Sequence, residues 1–92
     1  MDKEITKNDA LVNFKKSRSL LNKIIEMVEA DEYCVDIMTQ NLAVIGMLKS
    51  AHQTLMENHL HHCFSNAMGA KQEKKKLEMV EEILKVTKLA SK

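Results

Sequence analysis

From Tyr33 to Met68 the chain carries no proline and a single glycine, Gly46, so nothing in this stretch stops an α-helix. At ~1.5 Å rise per residue such a helix is a rod of ~50 Å, about four times the ~13 Å radius of gyration of a compact 100-residue domain. One chain of 92 residues is too short to cover that rod with its own side chains. The expectation is an obligate homo-oligomer, a dimer or a tetramer, with this helix at its centre.

The flanking segments also read as helices. Thr6-Lys7-Asn8-Asp9 fits a capping box. Leu11, Phe14, Leu21, Ile24, Ile25 and Val28 then recur at three- and four-residue spacing as a core-facing stripe. Arg18 interrupts this stripe where an apolar residue is expected, and can snorkel or pair with an acid across a helix interface. Asp31 is placed to cap the second helix, whose apolar side runs through Val35, Met38, Leu42, Ile45, Leu48, Leu55 and Leu60. Gly69 reads as its C-cap. Lys71, Lys74, Lys75 and Lys76 follow, and a third helix carries Leu77, Val80, Ile83, Leu84 and Val86 on one side. We expect an all-α chain, one domain over residues 1–92, with helix one at about 6–30, helix two at about 32–68 and helix three at about 71–89. Three aromatic residues and no proline leave little of the turn and strand chemistry that a sheet needs.

No apolar run is long enough to span a bilayer and no secretory signal is legible in Met1–Lys7, so the expected location is the cytoplasm, away from membranes. Two cysteines are not a disulfide framework, and in a reducing compartment they point to metal or redox chemistry. Cys34 stands near the start of the long helix and Cys63 near its end, with His59 four residues before Cys63. Residues four apart on a helix share a face, so His59 and Cys63 can hold one atom together. Cys34 lies roughly 43 Å further along the same rod, so a site made by all three takes Cys34 from a second chain.

Two thiolates and an imidazole suit Cu(I) or Zn(II). Three ligands complete a Cu(I) site, whereas Zn(II) usually takes a fourth. His62, three residues after His59, is the nearer spare, since His61 faces away from Cys63. The bland reading is that each cysteine is a small core residue and that the His59/Cys63 spacing is chance. A nucleophilic Cys/His pair would need an orienting group and a cleft, which a lean helical bundle does not supply, so an enzyme is not expected. The seven methionines are spread through apolar positions as core filler. Lys15, Lys16, Arg18 and Lys23 form a basic segment with no acid among them, and Lys49 adds a base on helix two. This is either a solvated face or, repeated in an oligomer, a surface for phosphates.

Tyr33-Cys34-Val35-Asp36-Ile37-Met38-Thr39-Gln40, then Asn58-His59-Leu60-His61-His62-Cys63-Phe64-Ser65-Asn66-Ala67, and the closing Glu81-Glu82-Ile83-Leu84 resemble the copper-sensitive operon repressor (CsoR) family. The resemblance covers about residues 10–88. It implies an antiparallel four-helix-bundle dimer built from helices one and two, with dimers pairing into tetramers. It also implies a Cu(I) site made by Cys34 of one protomer with His59 and Cys63 of its neighbour, with Tyr33 and Glu82 close by. Nickel/cobalt sensors of the RcnR type have His where this chain has Cys63, and persulfide sensors of the CstR type lack the His. Formaldehyde sensors of the FrmR type use an N-terminal proline, which this chain lacks.

The function implied is a Cu(I)-sensing repressor whose metal-free form binds operator DNA through Lys15, Lys16, Arg18, Lys23 and Lys49. Asn13, Asn22, Glu26 and Ser50 stand where the family commonly has basic residues, and each such loss weakens the salt-dependent part of DNA affinity. The alternatives are an oligomeric Cu(I)- or Zn(II)-binding protein without specific DNA binding, and a thiol or persulfide sensor of the same fold.

Overall fold

The computed structural model describes residues 6–69 and 72–91. Lys71 of the expected basic run therefore lies outside the described residues, as do the side chains of Cys63, Phe64, Ser65 and Ala67. The order is α1 (Lys7–Glu29), α2 (Cys34–Asn58), a π-helical turn (His59–Phe64), α3 (Ser65–Met68) and α4 (Glu73–Ala90). The fold class is all-α, and no strand occurs among the described residues. The chain divides into two compact units, Met1–Asn58 and His59–Lys92.

Helix α1 starts where its sequence says. The Thr6 backbone N–H donates to Asp9 Oδ2 at 2.8 Å, and the Asp9 N–H donates to the Thr6 carbonyl at 3.1 Å. Donors that would face water unpaired at the helix start are thus satisfied locally. The other end of α1 departs from expectation. Asp31 does not cap α2; it adopts a left-handed backbone with φ of 55°. The Glu32 N–H reaches back to the Met27 carbonyl and the Asp31 N–H to the Val28 carbonyl, both at 3.0 Å. These paired bonds close α1 in a Schellman motif, with Asp31 at the position glycine usually takes. Helix α2 is opened instead by Tyr33, whose carbonyl accepts the N–H groups of Asp36 and Ile37.

A left-handed L-residue costs more than glycine, and Asp less than most. Asp31→Gly is therefore expected to stabilise the chain by about 0.5–1 kcal/mol, read as a higher midpoint in urea with an unchanged slope. A lower midpoint would mean that the Asp31 side chain makes a contact worth more than its strain.

The buried residues of α1 and α2 are mostly small and at heptad spacing, with Met27 added at the end of α1. Ala10 and Ser17 are buried on α1, and Val44, Ala51 and Asn58 on α2. Short side chains let the two backbones approach closely, and a seven-residue repeat keeps the seam facing the partner helix as the pair coils. The Ser17 hydroxyl donates to the Asn13 carbonyl at 2.8 Å, so the burial of its oxygen leaves nothing unpaired.

The large apolar residues of the expected stripes lie elsewhere. Leu11, Phe14, Leu21 and Ile25 on α1 are exposed, as are Val35, Met38, Leu42 and Ile45 on α2. Leu42 is 67% exposed in the chain. Contiguous apolar faces of this extent mark a surface that something covers. In the second unit, α3 contacts both the π turn and α4. No residue of α4 is buried, and Leu77 and Leu84 both stand exposed on it. Gly69 follows Met68, the last residue of α3, and among the described residues no glycine has a positive φ. The helix thus ends without the left-handed glycine cap that Gly69 suggested.

Candidate metal centre

Cys34 is the first residue of α2 and its thiol is free and exposed. Tyr33 precedes it and is exposed as well. Being at the first position of a helix, Cys34 stands where unpaired backbone N–H groups favour negative charge. The whole of α2, 25 residues, separates it from the other end of the motif. At ~1.5 Å per residue that helix puts Cys34 roughly 36 Å from Asn58, the residue bonded to His59. No three His, Cys, Asp or Glu side chains converge within the chain among the described residues.

His59 opens the π turn and is half-buried. Cys63 is the fifth residue of the same turn. The expected uninterrupted α-helix therefore changes its winding at His59. A π turn closes i→i+5 bonds in place of i→i+4, is rare, and is frequent at functional sites. His61 is exposed, whereas His62 is half-buried and already engaged in an interaction within the chain. Glu82 is exposed in the middle of α4, in the second unit.

The donor set fits a soft metal ion. Thiolates and an imidazole bind Cu(I) well, and Cu(I) is content with three such ligands. Cys34 at the start of α2 and His59 and Cys63 in the turn after it would together supply such a set.

The basic residues separate into two groups. Lys15, Lys16 and Lys23 line an open groove of about 500 Å³ with Ser19, Leu20 and Met47. Arg18 and Lys49 do not line it. Arg18 continues the spacing Leu11, Phe14, Leu21, Ile25, and Lys49 continues the spacing Val35, Met38, Leu42, Ile45. Three- and four-residue steps keep a residue on one helix face, so both bases stand on the exposed apolar stripes. The sequence already set Arg18 on the α1 stripe, and the structure adds that this stripe is exposed.

Residues 6–88 match the family described as metal-sensitive transcriptional repressor. The copper-sensing transcriptional repressor CsoR of Mycobacterium tuberculosis (strain ATCC 25618 / H37Rv) is 44% identical over 70 residues, which is 74% of this chain and 59% of that one. The copper-sensing transcriptional repressor CsoR of Bacillus subtilis (strain 168) is 37% identical over 67 residues, 72% of this chain and 66% of the other. The chain thus spans less than two thirds of the length of these relatives. In fold it is similar to the crystal structure of the copper-sensing repressor CsoR with Cu(I) from Geobacillus thermodenitrificans NG80-2. There the TM-score is 0.82 at 24% identity, covering 100% of this chain and 93% of that one. No described helix is long and apolar enough to cross a membrane. The helical hairpin with a cysteine at its turn, the His59–Cys63 turn at the far end and the match over residues 6–88 have one reading: the chain belongs to the metal-sensitive transcriptional repressor family.

Proposed function

We propose that this protein is a cytoplasmic Cu(I)-responsive transcriptional repressor that works as a homo-oligomer. What supports the proposal is Cys34 at the first residue of α2 and the His59–Cys63 turn directly after its last, with Val35, Met38, Leu42 and Ile45 exposed along the helix between them. A second copy laid antiparallel on that stripe buries both apolar faces. It also brings its own Cys34 to the first copy's His59 and Cys63. A two-fold interface is self-complementary, so one packing event completes two identical sites. Tyr33 travels with Cys34 to that junction, and Glu82 is the acid of α4 assigned to its surroundings.

Operator DNA is the partner of the metal-free form. Lys15, Lys16 and Lys23 offer three ammonium groups along one groove, repeated in each copy. Ammonium groups act as point charges toward phosphate and position a duplex without reading its bases. Arg18 and Lys49 belong by position to the self-association stripes. Each of Lys15→Ala, Lys16→Ala and Lys23→Ala is therefore expected to flatten the plot of log affinity against log salt by about 0.9 per copy engaged on DNA. Arg18→Ala and Lys49→Ala are expected to leave that slope alone and to change self-association instead. A salt titration by fluorescence anisotropy reads the first effect, and sedimentation equilibrium the second.

Cu(I) acts on this assembly by linkage. If the metal favours a conformer with poor DNA affinity, DNA must weaken metal binding by the same factor. The experiment is a gel-shift titration of an operator fragment with and without stoichiometric Cu(I). Release on loading supports the switch. Unchanged DNA affinity across full loading would refute it, and failure of any fragment to bind at moderate salt would favour a metal-binding oligomer that does not regulate.

A further inference from the structure

The groove that Lys15, Lys16 and Lys23 line contains more than a DNA backbone uses. Its other lining residues are Ser19, Leu20 and Met47, and no acid is among the described residues that line it. The three lysines are exposed, whereas Leu20 and Met47 are half-buried. An apolar floor thus lies within a cationic rim. Point charges alone hold the outside of a duplex, so the floor is surplus to that contact. At about 500 Å³ the groove falls inside the roughly 300–1,000 Å³ of ordinary small-molecule sites.

The groove also stays open when the apolar stripes are covered. Lys16, Leu20 and Lys23 follow one another in four- and three-residue steps, about half a turn around α1 from Leu11, Phe14, Leu21 and Ile25. A copy laid on those stripes leaves this face to solvent. The cations within the groove fall at two ends. Lys15 and Lys16 precede Leu20, and Lys23 follows it, roughly 10 Å further along the helix than Lys16. A ligand that satisfies both ends carries an anionic group on either side of a body that rests on Leu20 and Met47. A flat aromatic body is favoured over an alkyl chain there, because the Met47 thioether attracts ring edges. The Ser19 hydroxyl donates and accepts, which serves the edge of a base or a sugar.

We propose that this groove is a binding site for a nucleoside bisphosphate, with one phosphate at Lys15 and Lys16, the other at Lys23, and the base on Leu20 and Met47. Flexible lysine stems let the ammonium groups close in on phosphates that lie nearer together than the Cα atoms do. The consequence rests on the DNA reading above: the same three lysines cannot serve a nucleotide and an operator at once. A filled groove therefore releases the repressor without Cu(I), and the protein answers to a second, organic signal.

Titration calorimetry on the full chain with three probes tests this: adenosine 3′,5′-bisphosphate, adenosine 5′-diphosphate and inorganic pyrophosphate. The two nucleotides carry the same groups, but only the first has a phosphate on each side of the nucleoside. It is expected to bind about fivefold tighter than the diphosphate, the worth of one well-placed exposed ion pair, and pyrophosphate more weakly than either. Lys23→Ala should erase the preference between the nucleotides. Met47→Ala should weaken both nucleotides and leave pyrophosphate alone, and Lys88→Ala, on α4, should change nothing. Equal affinity for the two nucleotides, or pyrophosphate binding as tight as theirs, makes the groove a charged surface only and overturns the proposal. No binding of the bisphosphate at millimolar concentration does so too. The comparison of the three probes needs no variant, so it decides even if Met47→Ala does not fold. A gel shift with metal-free protein completes the test. A duplex that stays bound at saturating bisphosphate overturns the exclusion of one ligand by the other. A chain that takes the bisphosphate with the expected preference yet binds no duplex sinks the operator reading and supports the nucleotide site.

Discussion

Two variants that each fail to bind Cu(I) should recover binding when they are mixed. Cys34→Ala removes one half-site from every copy, and the double variant His59→Ala/Cys63→Ala removes the other. Each protein alone has no complete site and is expected to lose Cu(I) affinity by more than about 100-fold, beyond what removing a neighbour of a ligand does. In a hybrid dimer, the intact Cys34 of the double variant meets the intact His59 and Cys63 of its mate. That pair holds one complete site, and its other junction holds none. With random exchange half the dimers are hybrid, so about one quarter of wild-type capacity should return at wild-type affinity. Co-expression of two differently tagged chains, followed by a Cu(I) titration, provides the measurement. A site confined to one chain predicts no recovery at any mixing ratio. The distinction is sharp because the ~36 Å length of α2 admits no compromise in which Cys34 bends back to its own His59.

That experiment depends on how much of the molecule could be read without a structure. The three helical regions and the all-α class followed from an absence, since a chain with no proline and two glycines has few ways to stop a helix. The capping box at Thr6–Asp9 was equally plain, because its chemistry is local. Asp31 was misassigned for a physical reason. Aspartate is suited both to opening a helix and to the left-handed position that closes one, and only the bonds from Asp31 and Glu32 back to Val28 and Met27 decide between them. The π turn was not legible because a four-residue His/Cys spacing keeps both residues on one face in either winding. The seam of Ala10, Ser17 and Ala51 escaped notice because periodicity weighs large apolar residues, and here those face outward. Arg18 was legible as an interruption of the Leu11, Phe14, Leu21 stripe, but the groove lined by Lys15, Lys16 and Lys23 without it was not, because the outward exposure of that stripe is a tertiary property.

The outward-facing leucines give the second large effect. Leu42 sits centrally in the α2 stripe and is 67% exposed in the chain, so a charge there costs the folded protomer almost nothing. Covered by a second copy, the same position is desolvated, and an unpaired ammonium in an apolar interface costs several kcal/mol. Leu42→Lys is therefore expected to weaken self-association by about 100-fold or more, the effect of losing a central interface residue, while leaving helix content unchanged. Cu(I) affinity should fall in step, because two chains that no longer pack cannot bring Cys34 to His59. Ala43→Lys, one residue along and also exposed, turns about a hundred degrees off the stripe. It should change neither association nor metal binding. Sedimentation velocity and a Cu(I) titration on both variants separate the causes. If Leu42→Lys stays associated and binds Cu(I) normally, the apolar stripe is not the surface that assembles the metal centre. If it dissociates and still binds Cu(I) at wild-type affinity, one chain holds the site after all. Loss of both together, with Ala43→Lys unaffected, ties the metal centre to the packing of two copies through this one face of α2.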